Sequence, residues 1–423
     1  MNATLQLFVV VSCIGLLALG CDVPVLGPAP EGINVPASGS FDTCGRGFLV
    51  AQSDYQSSNI SAFGLNGDVL SPSLTSSNVR EAGLVQAFSG DVVFPSMRQI
   101  GEDIVVLDRY PQSVLTYINP LTAHVRAQLD VSTGFAANPH DYLSIDEHHA
   151  MVSRFDANPR KGTLAHDAGG DWLIVDPRTP EIAGSISLEG KLAKATPTLL
   201  PHPDRMVLVN SRVYAVVSLY STNYQQTGAS YVVVIDAESL QIERSVELVG
   251  VSGCAGIALS PSGEEIAIAC SGAWGSAKGA SAQSSAILGL SVADTPKERF
   301  RITASSVGTG AAFGFSLSYA DSDQLLFVQL GTFDDDGQVT ASDRLYSFSV
   351  SQRRTELLHE AKNEAFVLGD VRCLPECGRC ASAQAGNNAA LSLWQVQKST
   401  LSQYGMARMQ DGTGLPPRWL GTF

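Results

Sequence analysis

Three groups of residues in this chain have types and spacings suited to chemistry. The first is CLPECGRC, residues 373–380, with Cys373, Cys377 and Cys380 close together. A zinc site needs four converging ligands, and here a single C-x-x-C stands with no histidine near it in sequence. A redox C-x-x-C sits at a helix N-terminus that lowers the thiol pKa, and this stretch reads as a hairpin. A disulfide staple is therefore the expectation. The second group is Asp334, Asp336 and Asp343 in GTFDDDGQVTASD. It approaches calcium-loop spacing, but Thr332 occupies the first ligand position, so a solvated loop is expected. Calcium is the one cation left open, and no cofactor is expected. The third is His140 beside Asp141, a pair suited to acid–base work or to capping strand ends. His202, in LPHPDR, reads as a hairpin residue. H-E-x-x-H, G-x-S-x-G and P-loop signatures are absent from the sequence.

The elements that must position these residues form a repeat. A short apolar run, a polar turn and a second alternating run recur seven times: SAFGLNGDVL from Ser61, VLTYINPLTAHVRAQL from Val114, DWLIVDPRTPEIAGSISL from Asp171, YVVVIDAESLQIERSVEL from Tyr231, AILGLSVADTPKERFRI from Ala286, RLYSFSVSQRRTELL from Arg344 and ALSLWQVQKSTLSQYGM from Ala390. Their turns begin at Asn66, Asn119, Asp176, Asp236, Ser291, Ser349 and Gln395, about 46 to 60 residues apart, within reach of propeller blades. A second hairpin precedes most copies, most clearly IALSPSGEEIAIACSG from Ile257. The expected fold is all-β: a seven-bladed β-propeller of four-stranded antiparallel blades. The first copy lacks an innermost strand, so residues near Arg418–Phe423 should supply it and close the ring. Loops entering the innermost strands would then surround the channel. Those loops are expected to be PSMR, NPHD, ATPT, GCAG and GAAFG, with Arg98, His140 and Asp141 best placed to meet as a binding site.

VVVIDAESLQIERSVELVG followed by GIALSPSGEEIAIACSG resembles the extracytoplasmic propellers of the YVTN-repeat type. That resemblance implies the fold and little about activity, because propellers host enzymes, binders and scaffolds. At the N-terminus, an apolar run from Leu5 to Gly20 ends in Ala18-Leu19-Gly20-Cys21, which resembles a bacterial lipobox. The resemblance implies a signal peptide over 1–20, lipid on Cys21, a tether over 21–45 rich in Pro, Gly and Ser, and a propeller over 46–423. The chain is expected in the bacterial cell envelope, held to the membrane by lipid and exposed outside the cytosol.

Six cysteines then remain, an even number in an oxidising compartment. Equal hairpin arms put Cys254 opposite Cys270. Cys-Gly-Arg occurs at both Cys44 and Cys377, in the first and last blades, which favours Cys44–Cys377 with Cys373–Cys380; Cys44–Cys373 with Cys377–Cys380 is the other arrangement. The net charge of −14 excludes a nucleic-acid partner, since phosphate binding needs a basic surface. The expected role is that of a monomeric, non-enzymatic binding or scaffolding module for an envelope protein or glycan. The alternative is a channel-mouth enzyme, such as a lactonase-like hydrolase or a quinone-dependent oxidoreductase.

Overall fold

The computed structural model describes residues 29–33, 47–80, 83–99, 101, 103–273, 282–397, 400–409 and 412–423. They build seven four-stranded antiparallel sheets arranged as blades. Blade 1 takes Gly47–Ser53, Ser58–Gly64 and Val69–Ser76, with Pro417–Thr422 as its inner strand. The inner strands of blades 2 to 7 are Val92–Val93, Pro139–Ser144, Leu200–Val209, Cys254–Leu259, Phe313–Tyr319 and Leu368–Leu374. Three 3-10 turns are the helical elements among the described residues, and no helix is long and apolar enough to cross a membrane.

All seven hairpin copies read from the sequence are the third and fourth strands of the seven blades. Their turn-starting residues show why they recur. Asn119 accepts from the Leu121 amide at 3.0 Å, Asp176 from Arg178 at 2.9 Å and Asp236 from Ser239 at 2.7 Å. A short side chain that caps its own turn sets the hairpin locally. Middle strands are apolar on both sides because both sheet faces are covered. Gly47–Ser53 and Glu265–Ser271 are buried throughout, whereas the outer strand Glu181–Ile186 mostly alternates. Seven apolar clusters fill the seven junctions between neighbouring blades.

The antiparallel order gives the ring two unlike faces. Turns between first and second and between third and fourth strands lie on one, called the turn face. Loops between second and third strands, and the connections entering each inner strand, lie on the other, called the loop face.

Ring closure follows the sequence expectation. Val50 pairs with Leu420, and Phe48 with Thr422, so the C-terminal strand completes blade 1. Cys254–Cys270 and Cys373–Cys380 are disulfides between the two inner strands of blades 5 and 7. Cys377 is also disulfide-bonded, and its expected partner Cys44 lies outside the described residues, as do Cys21 and the leader. The Cys373–Cys380 bond rules out the pairing of Cys377 with Cys380.

One segment departs from the tether reading. Within residues 21–45, residues 29–33 lie against the body of the propeller. Glu31 N donates to Ser73 O at 2.7 Å, Ile33 N donates to Pro120 O at 2.7 Å, and Ile33 is buried in the junction of blades 1 and 2. A single β-branched residue in a Pro- and Gly-rich stretch is enough to dock it.

Removing residues 414–423 deletes the inner strand of blade 1 and leaves Phe48, Val50 and the Asp370 carboxylate uncovered. The expected outcome is loss of the single cooperative urea transition, read by near-ultraviolet circular dichroism. An unchanged midpoint would show that the ring closes without this strand.

Candidate functional site

The structure separates the three residues expected to meet at the channel. Asp141 is fully buried, and its oxygens are committed to backbone. Oδ1 accepts from Ser96 N at 2.8 Å and Tyr142 N at 2.9 Å, and Oδ2 accepts from Met206 N at 2.7 Å. Those donors belong to blades 2, 3 and 4. Burial pushes the Asp141 carboxyl above its usual range, against the Arg205 charge and the amides. Asp370 repeats the arrangement in blade 7. It accepts from Val371 N at 3.0 Å, from Ser316 Oγ of blade 6 and from Leu420 N of the closing strand at 3.3 Å, and it pairs with Arg372 at 3.1 Å. Asp141 is thus a strand clamp, not a group presented to a ligand.

Arg98 lies at the other end of the channel. Blade 2 pairs only Val92–Val93 in its inner strand, and PSMR follows that strand rather than leading into it. Arg98 lines a cavity of about 480 Å³ on the turn face with Ser260, Pro261 and Glu376. It does not meet His140.

His140 does join a constellation on the loop face, where blades 3 and 4 meet. Its Nδ1 lies 2.9 Å from Asp204 Oδ2, and its ring stacks on Phe155 at 4.1 Å. Phe155 in turn contacts His202 at 4.7 Å, and His202 meets Tyr220 at 5.3 Å and Tyr224 at 5.5 Å. Tyr224 sits in the loop between second and third strands of blade 4 and donates its hydroxyl to Asp156 of blade 3. His202 lies in the inner strand of blade 4, paired with Ser218 in the hairpin that this strand forms with the next. It is 2% exposed, and neither ring nitrogen has a hydrogen-bond partner among the described residues. The Asp156 carboxylate stands 3.9 Å from Nδ1. Burial lowers the His202 pKa to about 4, outweighing the pull of Asp156.

A second constellation lies on the same face at the junction of blades 6, 7 and 1. Tyr55, Phe315, Phe366, Leu330, Trp419 and Arg418 line a cleft of about 200 Å³. Phe366 stacks on Phe333 at 5.8 Å, and the Arg418 guanidinium lies 4.4 Å from the centre of the Tyr55 ring. The buried Asp343 builds one wall. Its carboxylate accepts from the amides of Gly331, Phe366, Val367 and Leu368 at 2.5, 2.9, 2.6 and 2.8 Å. Asp343 organises a loop, while Asp334 caps its own turn by accepting from Asp336 N and Gln338 N at 3.0 and 2.7 Å. Asp334, Asp336 and Asp343 form no metal-binding group among the described residues.

The face as a whole is asymmetric. The exposed aromatic residues among those described are Tyr55, Tyr110, Tyr224, Phe315, Phe333 and Phe366, and all six lie on the loop face. No spacing signal in the sequence announces them, because each comes from a separate stretch of the chain.

His202 makes stability depend on pH in a defined direction. Its folded pKa lies below the unfolded value of 6.5, so the unfolded chain binds the extra proton and stability falls as pH drops through 6.5 toward 4. Between pH 7.5 and pH 5 the loss attributable to this group is on the order of 2 kcal/mol. Urea unfolding of the wild type and of His202→Phe at both pH values should show this difference, with the variant less sensitive to acid. Equal sensitivity would mean that His202 is not buried in its neutral form.

No protein-family model matches the chain, and no curated protein matches it. Solved structures match in fold. The Cps50 (Swd1) β-propeller domain of Myceliophteria thermophila aligns with 87% of this chain and 100% of its own, at TM-score 0.53 and 12% identity. The periplasmic gluconolactonase of Pseudomonas aeruginosa and a putative 6-phosphogluconolactonase of Bacteroides uniformis each align with 89% of this chain and 98% of their own, at TM-score 0.52 and 11% identity. At such identity the likeness is one of architecture: the chain is a seven-bladed β-propeller, a fold shared here by enzymes and by other proteins.

Proposed function

We propose that this chain is a lipid-anchored propeller of a bacterial cell envelope that binds another envelope component, a protein or a glycan, through its loop face. The observation that carries the reading is the gathering of all six exposed aromatic residues on that face. Aromatic side chains offer large contact area at low entropic cost, and they concentrate where recognition happens. The acidic balance of the chain, −14, supports a partner other than nucleic acid. The ending Ala18-Leu19-Gly20-Cys21 supports lipid on Cys21. The Cys254–Cys270 and Cys373–Cys380 disulfides fit an oxidising compartment.

A second reading rests on one pair. His140 and Asp204, 2.9 Å apart, are oriented like a general base and its positioning carboxylate, at a channel mouth. In this reading the site hydrolyses a small ester or lactone. Turnover of lactone substrates that disappears in His140→Ala would favour it over binding.

Two measurements test the main reading. A photo-crosslinking residue at Tyr55 or Tyr224 should trap a partner in cells, while one at Leu121 on the turn face should not; equal trapping at all three would sink the loop-face assignment. Radiolabelled palmitate should enter the wild type and fail to enter Cys21→Ser. Labelling that survives this substitution would remove the lipid anchor from the proposal.

A further inference from the structure

The cleft at the junction of blades 6, 7 and 1 combines features that specify an occupant. Its volume of about 200 Å³ matches one large side chain. Its lining is apolar or aromatic apart from Ser316 and Arg418, and Arg418 is the only ionisable cation among the lining groups. The guanidinium is held in place at two points. Nε donates to Ser53 O at 2.8 Å, and the cation rests over the Tyr55 ring. The nearby Asp54 carboxylate is turned into its own loop, accepting from Gln56 N and Ser57 N at 2.9 and 2.7 Å. Those amides hold the Asp54 carboxyl below its usual range, with the Arg418 charge adding a smaller pull. Among the described residues Arg418 forms no ion pair. A half-buried, pre-positioned guanidinium beside an apolar hole complements an apolar group that carries a carboxylate.

The walls carry strain that packing does not require. Tyr55 and Phe366 have φ of 66° and 60°, in the left-handed region that a bulky side chain rarely adopts. Both are about half exposed. Phe366 is held in this conformation by the four amides on buried Asp343. Backbone strain in exposed aromatics, kept in place by a buried carboxylate, belongs to a surface shaped for contact.

We propose that this cleft binds the C-terminal residue of a partner polypeptide, with its large apolar side chain in the hole and its terminal carboxylate on Arg418. This rests on the binding reading of the loop face and names the occupant of one part of it. A free C-terminus is the compact source of this chemistry, because the carboxylate and the side chain share one Cα.

The test uses N-acetyl-Gly-Phe, its C-terminal amide and phenylacetate, each titrated against the purified propeller by saturation-transfer NMR. The acid peptide should bind roughly fivefold or more tightly than the amide, as expected for a charge-assisted contact at a partly exposed site. Arg418→Met keeps the side-chain stem and should bind acid and amide equally. Phe366→Asn suits the left-handed backbone, so its thermal midpoint should hold or rise while peptide binding is lost. Equal affinity of acid and amide for the wild type would overturn the proposal. So would phenylacetate binding as tightly as the peptide, since a small acid would then be the better occupant. If no peptide binds while crosslinks at Tyr55 persist, the cleft assignment falls and the loop-face reading stands.

Discussion

Two buried carboxylates hold the centre of this ring. A propeller faces a problem at its axis: the inner strands run side by side but belong to different sheets, so no ladder joins them. Asp141 answers this for blades 2, 3 and 4, and Asp370 for blades 6, 7 and 1. Each sits on one inner strand, accepts from its own next amide and reaches a donor on the strand to either side. A carboxylate can do this because it offers two oxygens with several acceptor directions in a plane. Burying it is costly, and the amides and the neighbouring Arg205 and Arg372 offset that cost. The second clamp has the greater consequence, because one of its donors, Leu420 N, lies in the strand that closes the ring.

Left-handed backbone occurs on both faces, at Tyr55, Tyr224 and Phe366 on the loop face and at Ala123, Leu240 and Arg353 on the turn face. Polar groups are left unpaired at His202, between two aromatic rings. The turn face is built differently, from short turns such as those at Asn119 and Asp176 that satisfy themselves. The Asn119 and Asp176 turns are capped locally, whereas the Tyr55 loop, itself capped by Asp54, also pairs with Gly90 of blade 2, and Tyr224 donates to Asp156 of blade 3.

The same contrast decides what the amino-acid sequence discloses. The outer hairpins are legible because turn residues such as Asn119, Asp176, Asp236 and Ser349 act within three positions, and the closing strand is legible because six blades have four strands and the first hairpin lacks its inner one. The Cys254–Cys270 bond follows from equal arms about one turn. Pro201 and Pro203 fit the strand that holds His202 because an inner strand has one edge toward the channel, where a missing N–H disrupts no ladder. Arg98 was misplaced because PSMR follows the inner strand of blade 2 instead of leading into it. The cleft could not be read at all. Its residues, Tyr55, Phe315, Phe366 and Arg418, are brought together by the ring and share no local pattern.

The docking of residues 29–33 also governs how the whole ring is held. Ile33 bonds to the Pro120 turn of blade 2 and Glu31 to the middle of the outer strand of blade 1, so the strap lies along the outer edge of the ring. Seven residues separate Cys21 from the start of this strap, eight steps with a reach of at most about 28 Å even when fully extended. A lipid on Cys21 would therefore act as a short leash fixed to one side of the disc. The ring would be held by its outer edge, beside blades 1 and 2, rather than by either face.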